Sequence, residues 1–174
     1  MYDVIVIGSG PAGMAAAIYA ASSKLKALVV SRDIPTYPNL SPMSSWTFEN
    51  LKQEFESVQK SKNLELQLNK KIVALEKNIV SFSVELTSGA VFYSKTVIIA
   101  CGHDRHSLEG NADFETLTSK DATGKIKVAA DMGTNVPGLF AAGGITVTGV
   151  ADIFSSAGEG ARAALSVVAF LNKK

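Results

Sequence analysis

The stretch Val4-Ile5-Val6-Ile7-Gly8-Ser9-Gly10-Pro11-Ala12-Gly13-Met14 decides the fold. Its β-branched run, Val4 to Ile7, favours a strand because branched side chains suit a pleated surface, and the alanine-rich run from Met14 to Ser22 favours a helix. Between them lies a G-x-G-x-x-G, placed after a strand and at the opening of a helix, as a nucleotide-binding turn requires. The first glycine permits the tight turn and the second lets backbone approach a pyrophosphate. The third lets helix and strand pack closely, while N–H groups at the helix N-terminus face the anion. Pro11 suits the first helical turn, where an N–H would have no intrahelical partner. Leu25 to Val30 supplies a second apolar strand, so the segment reads as a βαβ unit with parallel strands. Gly8, Ser9, Gly10, Pro11, Ala12 and Gly13 are therefore candidate nucleotide-binding residues.

A ribose is usually held by an acidic residue about 20 positions further on. Here the second strand ends Val30-Ser31-Arg32-Asp33, which sets Asp33 just beyond the strand. Two readings stand for Ser31 and Arg32. Ser31 is placed to hydrogen-bond a ribose and Arg32 to cover an adenine or meet a phosphate, or both are solvated loop residues.

Working outward, Pro35, Pro38 and Pro42 impose an irregular stretch, after which Phe48, Leu51, Phe55 and Val58 recur at helical spacing and predict a helix over about 45–60. From Leu64 to Ser94 short runs such as Ile79 to Val84, with turns at Lys77-Asn78 and Ser88-Gly89, predict a β-meander. Thr96 to Ala100 reads as a further buried strand leading to Gly102, and Leu139 to Ala142 as another ahead of Gly143-Gly144. A closing helix is expected from about 151 to 171, with Ala161, Ala164, Leu165 and Val168 as its apolar stripe. Trp46, Phe48 and Phe55 are expected in the core, and Lys60, Lys62, Lys70 and Lys71 as solvated charges.

Composition bounds the function. The 174 residues are 47% hydrophobic and 19% charged, enough for one substantial core, and one domain over 1–174 is expected. Seventeen Lys and Arg against 16 Asp and Glu give a formal net charge of +1, which offers no electrostatic reason to expect nucleic acid or an anionic membrane as partner. No basic region or small-residue cleavage site precedes Val4, and the apolar stretch from Gly138 to Ile153 is interrupted by Gly143, Gly144, Gly149 and Asp152, short of the roughly 20 residues a membrane span needs. A single cysteine, Cys101, excludes an internal disulfide and a C-x-x-C, and no metal site is expected; a reducing, cytoplasmic setting fits.

Thr96-Val97-Ile98-Ile99-Ala100-Cys101-Gly102 resembles a strand ending Ala-Thr-Gly, and Thr134 to Gly143 resembles T-x-V-P-G-x-F-A-A-G-D; both are motifs of the thioredoxin reductase family and its relative, the flavoprotein subunit of alkyl hydroperoxide reductase. Ser156-Ala157-Gly158-Glu159-Gly160-Ala161 is similar to the A-x-G-E-G-A of that family's closing helix. The resemblance implies an α/β, Rossmann-like FAD-binding fold, a parallel sheet with helices plus a β-meander. It implies FAD as cofactor, with the second motif running along the flavin's ribityl chain and the closing helix directed at its pyrimidine edge. The candidate cofactor-binding set then grows to include Ile72, Ala100, Cys101, Gly102, Gly143, Gly144, Asp152 and Ile153 beside the glycine turn, Ser31 and Arg32. Residues 1–102 and 126–174 match the two halves of the family's FAD domain, and 103–125 form a short bridge where the family inserts a NAD(P)H domain bearing a C-x-x-C. A dinucleotide-binding βαβ unit needs about 30 residues, more than the bridge has.

Departures from the family pattern carry their own expectations. Gly144 stands where the family has aspartate, a loss of about 1–3 kcal/mol in cofactor affinity if nothing replaces the carboxylate. The family's Gly-Gly-Gln segment is replaced by the proline-rich Ile34 to Pro42. Asp152, in the place of a glutamine, is read first as a helix cap and second as a proton donor to flavin. Cys101 is read as a packing residue rather than a redox group, and His103 and His106 as solvated loop residues rather than a lining of the flavin mouth. The sequence thus predicts a small flavoprotein, an oxidoreductase or electron-transfer protein with an external donor, supplied by a redox partner protein, a separate NAD(P)H-domain subunit or free NAD(P)H. The alternative is a non-catalytic dinucleotide-binding or interaction module with structural or no flavin. A homodimer is the expected assembly.

Overall fold

A computed structural model describes residues 1–35, 42–60, 62–102, 116–150 and 152–173. Strand β1 (Tyr2–Ile7) runs through the glycine turn into helix α1 (Pro11–Ser22), and β2 (Ala27–Val30) returns beside β1 in parallel, Val4 opposite Ala27 and Ile7 opposite Val30. Helix α2 (Pro42–Gln59) then leads to β3 (Leu64–Gln67), followed by β4 (Ile72–Lys77), β5 (Phe82–Leu86), β6 (Val91–Ile99), β7 (Leu139–Ala141) and the closing helix α3 (Ile153–Asn172). This is the Rossmann-like arrangement that the first thirty residues imply.

The described strands form one sheet in the order β3-β2-β1-β6-β5-β4, with β7 also paired to β6. Strand β6 serves two neighbourhoods. Its first half, Val91 to Ser94, pairs antiparallel with β5, and its second half lies parallel between β1 and β7. The expectation of two separate strands up to Ser94 and from Thr96 is therefore corrected to one of nine residues. Leu64–Gln67 is likewise not the start of the meander. It pairs parallel with β2 as an edge of the nucleotide-binding sheet, which completes a second βαβ crossover through α2. The meander proper is β4-β5-β6, and its first turn holds Ile79 and Val80 out in solvent, 99% and 73% exposed, so β5 begins only at Phe82.

Alternation along β1 divides the core. Val4 and Val6 face α1, α2 and α3 together with Met14, Phe55, Ile98 and Val167, while Ile5 and Ile7 face the meander side with Leu75, Phe82, Val84 and Leu86. Phe48 and Phe55 are buried as expected, but Trp46 is 65% exposed, because two positions before Phe48 place it on the opposite side of α2. The apolar stripe of α3 is also displaced: Gly160, Ala163, Ala164 and Val167 are buried, and Leu165 is 52% exposed. The contact with α1 selects small residues over large ones.

Candidate functional site

A cleft of about 640 Å³ opens at the carboxyl ends of the parallel strands, where ligands enter open α/β sheets. Each wall comes from a different element. The turn after β1 supplies Gly8, Ser9 and Gly10, and the start of α1 supplies Pro11 and Ala12. The end of β2 gives Ser31 and Arg32, the end of β6 gives Ala100, Cys101 and Gly102, the turn after β7 gives Gly143 and Gly144, and the start of α3 gives Asp152 and Ile153. Ile72, from the base of β4, closes one side. The sequence set is thus brought together around one cavity, with one exception. Gly13 does not line it; a Cβ there would stand 2.0 Å from Gly8 O, so this glycine serves the approach of α1 to β1.

The turn is shaped to admit a bulky anion. Gly8 has φ +104°, a conformation that side chains other than hydrogen rarely adopt, and a Cβ would meet Ala100 O at 2.5 Å. The N-cap of α1 is Gly10, in extended conformation and without a side-chain cap, and Pro11 follows at the first helical position. The first-turn N–H groups of α1 are therefore not taken up by a capping side chain, and the helix dipole favours negative charge at this point.

Beside the turn, the hydroxyls of Ser9 and Ser31 are buried and 2.8 Å apart, and each lies close to Asp33 O, at 2.6 Å and 2.7 Å. This contact ties the glycine turn to the end of β2. Asp33 itself turns its carboxylate towards Arg32 Nε at 3.8 Å, and both side chains are largely exposed. On the opposite wall, the Gly143 N–H donates to the buried Glu159 Oε2 at 2.7 Å, and Thr146 Oγ1 lies 3.3 Å from the same oxygen and 3.0 Å from Gly143 O. Glu159 was singled out only as part of a helix motif; its work is to pin the Gly143-Gly144 turn that forms the cleft wall. Only the contact across 16 residues reveals this role.

Asp152 is the N-cap of α3, its Oδ1 accepting the Ser155 N–H at 2.8 Å, which favours the capping role over that of proton donor. Cys101 is half-buried at the end of β6 and borders the meander-side core. His103 and His106 lie outside the described residues. Asp33, the acidic residue just beyond β2, also lines the cleft, as do residues the sequence reading missed, among them Ser44, Lys70, Val150 and Ser156. Lys70 corrects an expectation: it is not a solvated surface charge but half-buried in the wall, since its N–H donates to Ser31 O at 3.2 Å and draws it over the end of β2. Among the described residues no group of His, Cys, Asp and Glu is placed to hold a metal ion, and no helix is long and apolar enough to cross a membrane.

Known proteins share this architecture. A family model described as pyridine nucleotide-disulphide oxidoreductase matches residues 2–63 and 43–164. The chain is 28% identical over 135 residues to ferredoxin–NADP reductase 1 of Oceanobacillus iheyensis, a match covering 66% of this chain and 38% of the relative. It is 34% identical over 114 residues to the thioredoxin reductase of Aquifex aeolicus, covering 59% of this chain and 34% of the relative. The chain thus matches well under half of the length of these curated relatives. Among solved structures, the thioredoxin reductase of Lactococcus lactis in its FR conformation is similar with a TM-score of 0.78 and 17% identity, covering 100% of both chains, a likeness of fold.

Proposed function

Because the chain belongs to the pyridine nucleotide-disulphide oxidoreductase family, we propose that it is a flavoprotein oxidoreductase that holds FAD in the cleft at the carboxyl ends of its parallel strands. The observation that carries this reading is the glycine turn, whose Gly8 leaves no room for a Cβ against Ala100 O and whose helix starts without a capping side chain. A cradle of that kind fits a pyrophosphate. In this reading the N-terminus of α1 holds the pyrophosphate, the hydroxyl pair of Ser9 and Ser31 lies at the adenosine side, and Gly143, Gly144 and the N-terminus of α3 face the ribityl and ring end.

Bound FAD would supply the electron-transfer chemistry, and the protein's part is binding and electrostatics. The N-terminus of α3 faces this end, where the Asp152 carboxylate that caps it offsets the helix dipole. Glu159 keeps the Gly143 turn fixed, so that backbone rather than a mobile side chain forms the wall. With one cysteine in the chain, a dithiol–disulfide cycle has no second thiol, and residues 103–125 are too few for a βαβ unit of about 30 residues. In this reading reducing equivalents reach the flavin from outside residues 1–174, from a partner protein or from free NAD(P)H.

The test is an absorbance spectrum of the purified protein from about 300 to 600 nm, before and after dithionite, with the released cofactor identified by chromatography. Bound FAD that bleaches and reoxidises supports the reading. Gly144, which brings no carboxylate to the cleft wall, favours the rival reading of a non-catalytic module with structural or no flavin. A colourless protein that takes up no FAD from excess would establish that rival.

A further inference from the structure

The turn that closes one end of the cleft rests on a buried acid. Gly143 and Gly144 line the cleft, and behind them Glu159, in the second turn of α3, is only 8% exposed. Its Oε2 accepts the Gly143 N–H at 2.7 Å and the Thr146 hydroxyl at 3.3 Å. Gly149 packs onto the same turn so closely that a Cβ would stand 2.1 Å from Gly143 O. One residue of backbone, Gly143, thus stands between the carboxylate and the cleft.

Pinning a turn does not require a charge. An amide oxygen could accept the Gly143 N–H as well, and burying a carboxylate costs far more than burying a neutral acceptor. Among the described residues Glu159 enters no ion pair. Lys125 gives its ammonium to Gly149 O at 3.4 Å rather than to this carboxylate. The start of α3 does not neutralise it either, since Asp152 caps that helix and offsets its dipole. This end of the cleft therefore faces a negative charge that two hydrogen bonds hold and no described cation balances.

We propose that Glu159 sets the redox poise of the flavin: its charge lowers the midpoint potential of bound FAD below that of free FAD and makes the reduced cofactor a stronger electron donor. Reduction by an external two-electron donor adds two electrons and one proton to the flavin, and so one negative charge. Glu159 repels that added charge across the Gly143 turn and leaves the neutral oxidised ring unopposed. For two unit charges about 10 Å apart at an effective dielectric of about 20, such repulsion is worth roughly tenfold in an equilibrium constant. The inference rests on the FAD reading and adds to it a positioning residue, one that acts through Gly143 without touching the cofactor.

The FAD-loaded parent, Glu159→Gln and Glu159→Asp are reduced stepwise beside a dye of known potential, with flavin and dye both followed by absorbance. Gln removes the charge and keeps an acceptor oxygen for the Gly143 N–H, whereas Asp keeps the charge and shortens the reach. At the poise that half-reduces the parent, the ratio of reduced to oxidised flavin should be about tenfold higher in Glu159→Gln and within about twofold of the parent in Glu159→Asp. A role confined to pinning the turn would instead weaken FAD retention, most in Glu159→Asp, and leave the ratio in Glu159→Gln where the parent has it. That result, or an equal rise in both variants, overturns the proposal. The parent offers a test that needs no variant: a bound midpoint at or above that of free FAD in the same buffer also overturns it. A protein that takes up no FAD from excess fails at the earlier step, before any potential is measured, and removes the flavin reading together with this one.

Discussion

A hydrogen atom at Gly8 separates a cleft from a blocked turn. With φ +104° and Ala100 O 2.5 Å from where a Cβ would stand, Gly8→Ala must shift the turn or the end of β6. We expect flavin binding weakened by about tenfold or more, equivalent to ~1.4 kcal/mol, read as the 450 nm absorbance retained per protein after dialysis. Retention equal to the parent would remove the glycine turn from the site. At the other end of β1, burial, the hydrogen bond to Glu65 and the Glu65 charge together push the Tyr2 hydroxyl up to about 12. A raised folded value means that this contribution to stability is present below the ordinary value near 10 and is lost as pH rises through the folded one. Chemical denaturation midpoints should fall between about pH 10 and 12, and Tyr2→Phe should flatten that slope; an unchanged slope would remove Tyr2 as its cause. Residues such as Gly8 were legible in the sequence because a local steric rule fixes them. Lys70 was not, since its place in the cleft depends on a hydrogen bond to Ser31 across 39 positions of chain.

At the level of elements, Asp152 is the clearest lever. Its side chain accepts the Ser155 N–H at 2.8 Å and so satisfies one of the donors that open α3. Asp152→Ala should cost about 1 kcal/mol of stability, and Asp152→Asn, which keeps an acceptor oxygen, markedly less. Urea midpoints for the two variants check this, and equal losses would assign the effect to charge rather than to the cap. The extents of α1 and α3 were readable from the glycine turn, alanine content and the Asp152 cap, whereas α2 begins at Pro42, a residue read as part of the irregular stretch. The face that α3 buries was not readable. Hydrophobic size pointed to Leu165, but α1 and α3 approach so closely that a Cβ on Gly160 would stand 2.0 Å from Ala12 O, and the small side chains were therefore the ones turned inward. Leu64–Gln67 was misassigned for a related reason: four residues of strand look alike in a meander and at a parallel edge, and only pairing with β2 tells them apart.

Across the whole molecule, the cleft gathers chain from both ends of the sequence. Its walls come from the turn after β1, the ends of β2 and β6, the turn after β7 and the start of α3. The order of these segments was legible because the glycine turn, the strand ending at Gly102 and the Gly143-Gly144 turn each announce themselves locally. That they meet in space follows from β6 lying between β1 and β7, a pairing no local pattern states. A dinucleotide seated there binds only when all these segments are in place, so its binding free energy adds to the stability of the folded chain. At a free FAD concentration a hundredfold above Kd the gain is ~2.7 kcal/mol, which for a chain of this size corresponds to a Tm rise of about 5–10 °C. Differential scanning calorimetry with and without added FAD measures it. In Gly8→Ala the rise should shrink with the lost affinity, whereas in Asp152→Ala a lowered starting Tm should leave the rise largely intact, because the cap acts on α3 whether or not a ligand is bound. A rise of equal size in all three proteins would show that FAD stabilises them through some place other than the cleft.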